Sequence, residues 1–256
     1  MISRLARLPP ERVNFALDKL SAKEMVRKKG VNFSMSQPAL ESLALREYVK
    51  RGLIGALGAI IAKGKESDVY EAFTDEGGLL ALKFFKLGRT SFREVRRKRN
   101  IGKGELGGWI AVNYEAAKRE YVSLKKLEGR SAVFPKPVAY SRSTVLLEEL
   151  NGVRLTQMGK LTSPTKVLRT ILHAARVAYL EAGLVNGDLS EYNILTDGEK
   201  IWIIDWPQSV DKDHPNAKEL LTRDLRSVLK FFKRRYGVDM NEQGSFLYVT
   251  GEKSSL

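Results

Sequence analysis

The sequence contains no cysteine and only two histidines among its 256 residues. Without cysteine, the chain has no disulfides, no thiolate zinc sites and no cysteine nucleophile. It also contains no apolar run long enough for a membrane span, and its first ten residues lack the apolar stretch of a signal peptide. We therefore expect a cytoplasmic protein that has no membrane association.

Positive charge, by contrast, is abundant. The chain has 44 Lys and Arg against 30 Asp and Glu, which gives a net charge of +14 and a pI near 9.8. Such an excess attracts polyanions through phosphate contacts and counterion release, so nucleic acid is a natural partner. Charge alone does not decide the matter, because many basic proteins bind no nucleic acid.

The N-terminal residues predict a helix and a hairpin. Residues 9 to 20 place apolar side chains at helical spacing, and Lys29 and Gly30 lie between two short strand-like segments. A helix followed by a basic-tipped hairpin is typical of the second half of a winged helix. We expect the first half, normally one or two further helices, to be missing. An irregular N-terminal extension is the alternative.

The rest of the chain divides into a β-rich part and a helical part, separated by Asn151 and Gly152. In the helical part, Ser163 is predicted to cap a helix that has a proline in its first turn. The predicted elements are helices over 39–50, 113–128, 163–181 and 216–235, and strands near 57–62, 68–73, 79–85, 138–141, 144–147, 194–196 and 201–204.

The strongest chemical signal is the segment N-G-D-L-S-E-Y-N at residues 186–193, followed by Asp205. Phosphoryl transfer needs a carboxylate near the attacking group and oxygen ligands for Mg2+. Asp188 precedes Asn193 as in the catalytic loop of kinases, and Asp205 follows a short strand as their metal-binding aspartate does. As structural residues, Asp188 would be a loop cap and Asp205 a turn residue, but the joint pattern disfavours this.

Lys83 lies inside an apolar strand, where a lysine is costly unless a negative group meets it. Phosphate oxygens and a carboxylate on the following helix could each supply this negative group. Glu120 is the best candidate for this carboxylate, and Glu115 is a second candidate. For Lys83 itself, the alternative is a solvent-facing position at the sheet edge.

Upstream, the turn around Ser67 has one glycine and can present backbone N–H groups to phosphate, which is a weak signal by itself.

Taken together, four ordered motifs resemble the RIO family of atypical serine/threonine kinases: G-K-E-S-D-V-Y, L-K-F, N-G-D-L-S-E-Y-N and I-D-W-P-Q. The segment at 86–92 and the preceding hairpin resemble its second, winged-helix-bearing subfamily. The resemblance covers residues 9–235. It implies an α+β, two-lobed kinase-like fold of reduced type behind a partial winged-helix domain. The implied parts are 1–52 for the partial winged helix and connecting helix, and 53–256 for the kinase domain, divided into 53–147, a hinge at 148–152 and 153–256.

The resemblance also implies ATP as cofactor, with Mg2+ or alternatively Mn2+. The implied site residues are Lys83, Asp188 and Asp205 for catalysis, Lys65, Ser67, Val69, Lys83, Glu120, Glu148 and Leu150 for nucleotide binding, and Asn193 and Asp205 for the metal. The adenine is expected at the backbone around residues 148–150. In this family the metal-binding aspartate can also accept the phosphoryl group as an aspartyl-phosphate.

We also predict roles for four residues outside the implied site. Asn186 stands where the family usually has histidine, and we expect activity to survive because asparagine retains hydrogen-bonding capacity. Asp224 is predicted to brace the catalytic loop, and Trp206 and His173 are interpreted as packing residues. The basic segment at 86–105 is expected to dock RNA or gate the ATP site, with a passive solvated run as the alternative.

Only 51 residues follow Asp205, too few for the activation segment and peptide groove of a conventional protein kinase. This favours ATP hydrolysis or autophosphorylation. The family implies action in maturation of the small ribosomal subunit, with its precursor, rRNA and assembly factors as partners. The alternatives are a non-catalytic ATP-binding scaffold and a small-molecule phosphotransferase. The basic segment disfavours the latter, since its cationic substrates need an acidic pocket.

Overall fold

The computed structural model describes residues 1–86 and 108–256, with side chains in the second range from residue 110 onward. The predicted role of the basic segment falls outside the described residues, apart from Lys86. The helices are α1 (Ile2–Ala6), α2 (Pro10–Ala22), α3 (Gln37–Lys50), α4 (Gly108–Leu127), α5 (Pro164–Glu181), α6 (Ala217–Tyr236) and α7 (Glu242–Thr250). The strands are β1 (Val26–Lys29), β2 (Asn32–Met35), β3 (Ala56–Lys63), β4 (Ser67–Phe73), β5 (Leu79–Phe85), β6 (Pro137–Ser141), β7 (Thr144–Glu148), β8 (Val153–Arg154), β9 (Leu184–Val185), β10 (Ile194–Thr196), β11 (Ile201–Ile203) and β12 (Val210–Asp211).

The N-terminal part consists of α1, α2 and the β1–β2 hairpin. Pro10 begins α2, where a proline loses no helical hydrogen bond. The hairpin pairs Lys29 with Asn32, and Gly30 in its turn has a φ of 60°, a conformation that glycine adopts at little cost. The predicted helix and hairpin are therefore present. The five-residue helix α1 precedes them and was not predicted.

A five-stranded antiparallel sheet in the order β3-β4-β5-β7-β6 forms the β-rich lobe. Successive side chains of a strand point to opposite faces. Leu82 and Phe84 of β5 accordingly pack with Tyr48 of α3, whereas Phe85 packs against the α4 side with Val112. Lys83 shares the face of Phe85. The sheet alternation therefore directs this lysine toward α4.

The second lobe is built around α5 and α6. One hydrophobic core joins these helices to the short strands β9, β10 and β11, and it includes Ile171, Leu225 and Phe232. The β10–β11 hairpin pairs Ile194 with Ile203, which places the residues just before and just after it at one end. This hairpin therefore brings the 186–193 segment close to Asp205 in space.

Several predictions about the second lobe need correction. The helix at 216–235 is not the last, because α7 follows and packs on α5 and α6. The Ser163 side chain makes no capping hydrogen bond, although Pro164 does begin α5. His173 is exposed rather than part of the core, and its Nδ1 lies 3.0 Å from the hydroxyl of Tyr248.

Among the helices that the structure describes, none is both long and apolar enough to span a bilayer.

Candidate active site

Lys83 lies at the centre of a buried ionic cluster. Its Nζ is 2.9 Å and 2.8 Å from the two carboxylate oxygens of Glu120 on α4, and 2.6 Å from Oδ1 of Asp205. The Lys83 side chain is 7% exposed and that of Glu120 only 1%. The structure thus brings Glu120 to the lysine, whereas Glu115 is exposed and pairs with Arg119 at 3.3 Å. Lys83 does not occupy a solvent-facing edge.

In this cluster, burial and the neighbouring charges shift the pKa values of Lys83 and Glu120 in opposite directions. Burial by itself lowers the pKa of Lys83, but the carboxylates of Asp205 and Glu120 outweigh it and hold that pKa above its ordinary value. Burial also raises the pKa of Glu120, and the ammonium of Lys83 opposes this rise. The lysine therefore remains a cation, and removing it would leave the buried carboxylate of Glu120 without a compensating charge.

The residues after β11 hold Asp205 in an unusual backbone conformation. Asp205 has a φ of 70°, in the left-handed region that few non-glycine residues adopt and that aspartate adopts more readily than most. Trp206 follows it and is buried, with its indole N–H donating to the Ile203 carbonyl at 2.9 Å. The Trp206 backbone N–H donates to Oε1 of Glu120 at 3.4 Å. The packing role predicted for Trp206 is confirmed, and the residue also links Asp205 to α4.

A second link between this segment and α4 was not predicted. Ser123 lies one helical turn after Glu120, and its hydroxyl is 2.6 Å from that of Ser209; both residues are buried. The Ser209 hydroxyl also donates to the Trp206 carbonyl at 2.8 Å. Residues three apart on a helix share a face, so the spacing of Ser123 from Glu120 was the available signal. No local pattern marks Ser209.

Asn186 connects the two predicted catalytic segments. Its Oδ1 accepts from the Asp188 backbone N–H at 3.0 Å, and its Nδ2 donates to the Asp205 carbonyl at 3.3 Å. Asn193 donates through Nδ2 to the Asp188 carbonyl at 2.9 Å and to Oδ2 of Asp188 at 3.2 Å. The structure therefore brings all three predicted residues, Asp188, Asn193 and Asp205, into one hydrogen-bonded unit, with Asn186 at its centre.

Asp224 of α6 braces the catalytic loop at 186–193, as predicted. Its Oδ2 accepts from the Gly187 N–H at 2.7 Å, and the side chain is 2% exposed. Burial raises the pKa of Asp224 to about 7, against the lowering effect of the Gly187 hydrogen bond. Arg223, a residue that sequence reasoning missed, donates to the Gly187 carbonyl. Gly187 itself has a φ of 76°, and a Cβ there would lie 2.7 Å from the Gln208 carbonyl oxygen, which only glycine avoids.

The predicted phosphate loop lies at the β3–β4 turn. Lys65 is exposed in this turn, which the Gly64 N–H closes by donating to the Ser67 carbonyl at 2.9 Å. Val69 is directly opposite Lys83 in the β4–β5 ladder, so Ser67, Val69 and Lys83 share one face of the sheet. Asp68 points the other way.

Asp68 forms an ion pair that the sequence did not suggest. Both of its carboxylate oxygens lie 2.7 Å from Nζ of Lys86, and the Lys86 backbone N–H donates to the Glu66 carbonyl at 2.8 Å. The end of β5 is thereby fixed to the β3–β4 turn. Lys86, the one described residue of the basic segment, consequently has a local structural partner.

The predicted hinge lines a cavity of about 660 Å3 together with Trp202 and the β10–β11 turn. The lining includes Glu148 and Leu150 but none of the polar cluster around Lys83. In addition, the Glu148 N–H donates to the Lys136 carbonyl at 2.9 Å, and the Leu150 carbonyl accepts from Gly152 at 3.0 Å. The Glu148 N–H is therefore already used within the protein, whereas the Leu150 carbonyl oxygen keeps a second lone pair for a further donor.

The donor set around Asp205 suits Mg2+ bound together with a nucleotide. Within residues 1–86 and 108–256, no three His, Cys, Asp or Glu side chains form a metal cage. Mg2+ generally takes one or two protein oxygens and completes its shell with phosphates and water. Asp205 supplies a carboxylate, and Asn193 has its Oδ1 remaining for a cation because its Nδ2 faces Asp188.

Comparison with known proteins agrees with this geometry. The RIO domain family model matches residues 68–244. The RIO-type serine/threonine-protein kinase Rio2 of Methanocaldococcus jannaschii is 33% identical over 250 residues, which are 94% of this chain and 91% of that protein. The chain belongs to the RIO kinase family.

Other relatives extend the comparison. Serine/threonine-protein kinase RIO2 of Caenorhabditis elegans is 35% identical over 86% of this chain, which spans 42% of that longer protein. The crystal structure of the Chaetomium thermophilum Rio2 kinase in its ADP/Mg2+-phosphoaspartate complex is 28% identical, with a TM-score of 0.75, over 95% of this chain and 77% of that one. The predicted α+β kinase-like fold is therefore confirmed, and this RIO family member is an ATP-dependent phosphotransferase.

Proposed function

We propose that this RIO kinase uses Mg-ATP to phosphorylate its own Asp205 and then hydrolyses the aspartyl-phosphate. One observation supports this more than any other: Lys83 Nζ contacts the carboxylates of both Glu120 and Asp205, at 2.6 to 2.9 Å. This arrangement holds a carboxylate next to the cation that would bind the α- and β-phosphates. A kinase that only passed phosphate to a peptide would need a substrate groove as well.

The residues present have distinct tasks in this proposal. Lys83 binds phosphate oxygens, with Glu120 fixing its position, and Ser67 contacts phosphate from the β3–β4 turn. Asn193 and Asp205 hold Mg2+, which neutralises charge that develops on the transferred phosphoryl group. Asp188 lies within hydrogen-bond reach of Asn193 and is the catalytic acid/base. The contacts described above and the family resemblance support these assignments.

The phosphoryl group moves in two balanced steps. A carboxylate oxygen of Asp205 attacks the γ-phosphorus, a P–O bond forms, the bond to the β,γ-bridging oxygen breaks, and ADP leaves. Water then attacks the same phosphorus, Asp188 takes a proton from that water, the bond to Asp205 breaks, and phosphate leaves. The related Rio2 kinase whose complex contains ADP, Mg2+ and phosphoaspartate supports the first step.

The proposed setting is maturation of the small ribosomal subunit in the cytoplasm, with its precursor particle, rRNA and assembly factors as partners. The net charge of +14 favours rRNA as a direct contact. A switch based on ATP turnover suits such assembly better than signalling on many substrates. A non-catalytic scaffold that binds ATP as a structural ligand is the competing function.

An isotope experiment tests the enzymatic part. Purified protein is incubated with Mg2+ and γ-labelled ATP, and both free phosphate and protein-bound label are followed. We expect hydroxylamine-labile label and phosphate release in the wild type, and neither in Asp205→Asn. The variant Glu115→Gln, which changes an exposed carboxylate on α4, should retain both. ATP binding without label or release in the wild type would favour the scaffold instead.

A further inference from the structure

A line of cations runs along the exposed side of α6. Arg223, Arg226 and Lys230 follow one another at intervals of three or four residues, and Lys233 and Arg234 lie three and four residues after Lys230, so all five share one side of the helix. All five are exposed, and we call them the α6 stripe. The helix as a whole has seven cations against two acidic residues, one of which, Asp224, is buried. This surface is therefore strongly positive along about three turns.

Both ends of the α6 stripe adjoin the catalytic loop. At one end, Arg223 donates to the Gly187 carbonyl, and a groove of about 550 Å3 lies beside Arg223 and Arg226. At the other end, Nη2 of Arg234 is 3.8 Å from Oε1 of Glu191, which is three residues after Asp188. A polyanion bound along the stripe would accordingly pass next to the catalytic loop.

Local acids neutralise only part of this charge. Glu242 of α7 holds Arg226 with contacts of 2.6 to 3.1 Å, and Asp239 lies 2.7 Å from Lys233. Arg223 lies 3.7 Å from the buried Asp224, and Arg234 pairs with Glu191 although its side chain stays 76% exposed. Lys230 forms no ion pair within the part of the chain that the structure describes. Positive charge on this face thus exceeds what the fold itself uses.

The chemistry of the surface favours RNA over an acidic protein. None of the large hydrophobic side chains that the structure exposes lies on α6. Protein–protein interfaces generally have an apolar, aromatic centre and are depleted in lysine. Nucleic-acid interfaces are polar and cationic, and their affinity comes largely from phosphate contacts.

We propose that the α6 stripe binds the phosphate backbone of RNA and so places RNA beside the catalytic loop. This inference rests on the proposed rRNA partner and adds the surface that contacts it. Because phosphate contacts dominate, binding should depend little on sequence and strongly on salt.

The test measures binding of fluorescent oligouridylate over a range of salt concentrations. The stripe variant is Lys230→Gln/Lys233→Gln/Arg234→Gln, which spares the Arg223 contact to the catalytic loop. The control, Lys160→Gln/Lys166→Gln/Arg169→Gln, removes three exposed cations at and before α5. We expect the stripe variant to bind at least about tenfold more weakly at low salt and to lower the salt slope by about 2, at roughly 0.7 per lost single-strand phosphate contact. The control should match the wild type, and both should melt like the wild type.

Four results would overturn the proposal. Equal losses in both variants would indicate general charge attraction, and no loss in the stripe variant would place the RNA elsewhere. Stripe-dependent binding of polyglutamate without RNA binding would indicate an acidic protein partner. If the wild type binds no RNA, the rRNA partner fails as well, whereas the Asp205 labelling experiment remains a separate test of catalysis.

Discussion

The two faces of the five-stranded sheet bury very different side chains. On the α3 face, Leu82 and Phe84 of β5 meet Tyr48 in an apolar cluster. On the α4 face, Lys83 of the same strand meets Glu120 and Asp205. Because side chains alternate along β5, its core residues face α3 and its active-site lysine faces α4. Substitutions on neighbouring residues should affect different properties, and the following predictions test this separation in order of expected effect.

The largest effect is expected on the α4 face. Glu120→Gln removes the carboxylate that fixes Lys83 and should lower kcat/KM for ATP turnover at least about 100-fold, or about 2.7 kcal/mol. Glu115→Gln on the same helix should stay within about twofold, since Glu115 is exposed and pairs with Arg119. Steady-state phosphate release measures both. Similar losses in the two variants would mean that Lys83 is not positioned by Glu120.

On the α3 face the effect should appear in stability. Leu82 is fully buried, and Leu82→Ala should cost about 2.5 kcal/mol of unfolding free energy, as large-to-small core substitutions do. Leu79 of the same strand is 40% exposed, so Leu79→Ala should cost less than about 1 kcal/mol. Urea unfolding measures both, and KM for ATP below the unfolding transition should change little. A large rise in KM for Leu82→Ala would contradict the separation of the two faces.

Asn186 should have an intermediate effect on rate. Asn186→Ala removes hydrogen bonds to both Asp188 and Asp205, and we expect kcat to fall about tenfold, the equivalent of about 1.4 kcal/mol. Asn186→His, the residue usual in the family, should recover most of this loss. The KM for ATP should hardly move, since the side chain orients the loop. An alanine variant with unchanged kcat would show that the bridge is dispensable.

The smallest effect is expected at the second link between α4 and the 205–209 segment. A double-mutant cycle of Ser123→Ala and Ser209→Ala should give a coupling energy of about 1 kcal/mol, because the two hydroxyls bond each other while buried. The cycle is read from kcat and from urea unfolding. Simple additivity in both measurements would show that the Ser123–Ser209 pair does not help to hold Asp205.

Much of this arrangement was predictable from the sequence, because the decisive signals are local. The spacing of Asp188 and Asn193, and the position of Lys83 in an apolar strand, place each residue on its element. Links between elements were less accessible. Nothing in the sequence pairs Ser209 with Ser123, or Lys86 with Asp68, since such contacts depend on how α4 and the sheet dock.

The N-terminal helix and the C-terminal helix show the same limit. The five-residue α1 is too short for a periodic pattern, and α7 has nearly continuous apolar and small residues in place of an amphipathic stripe. His173 lay in an apolar run, yet its position on α5 is exposed beside Tyr248. Tertiary context decided these cases.

The central claim, that Asp205 accepts the phosphoryl group, is best tested by trapping. Protein incubated with Mg-ATP is quenched and treated with borohydride, which reduces an aspartyl-phosphate to homoserine, and peptides are then sequenced by mass spectrometry. The account predicts homoserine at position 205, dependent on ATP and on Lys83. Homoserine at position 188, or none under conditions in which phosphate is released, would contradict it.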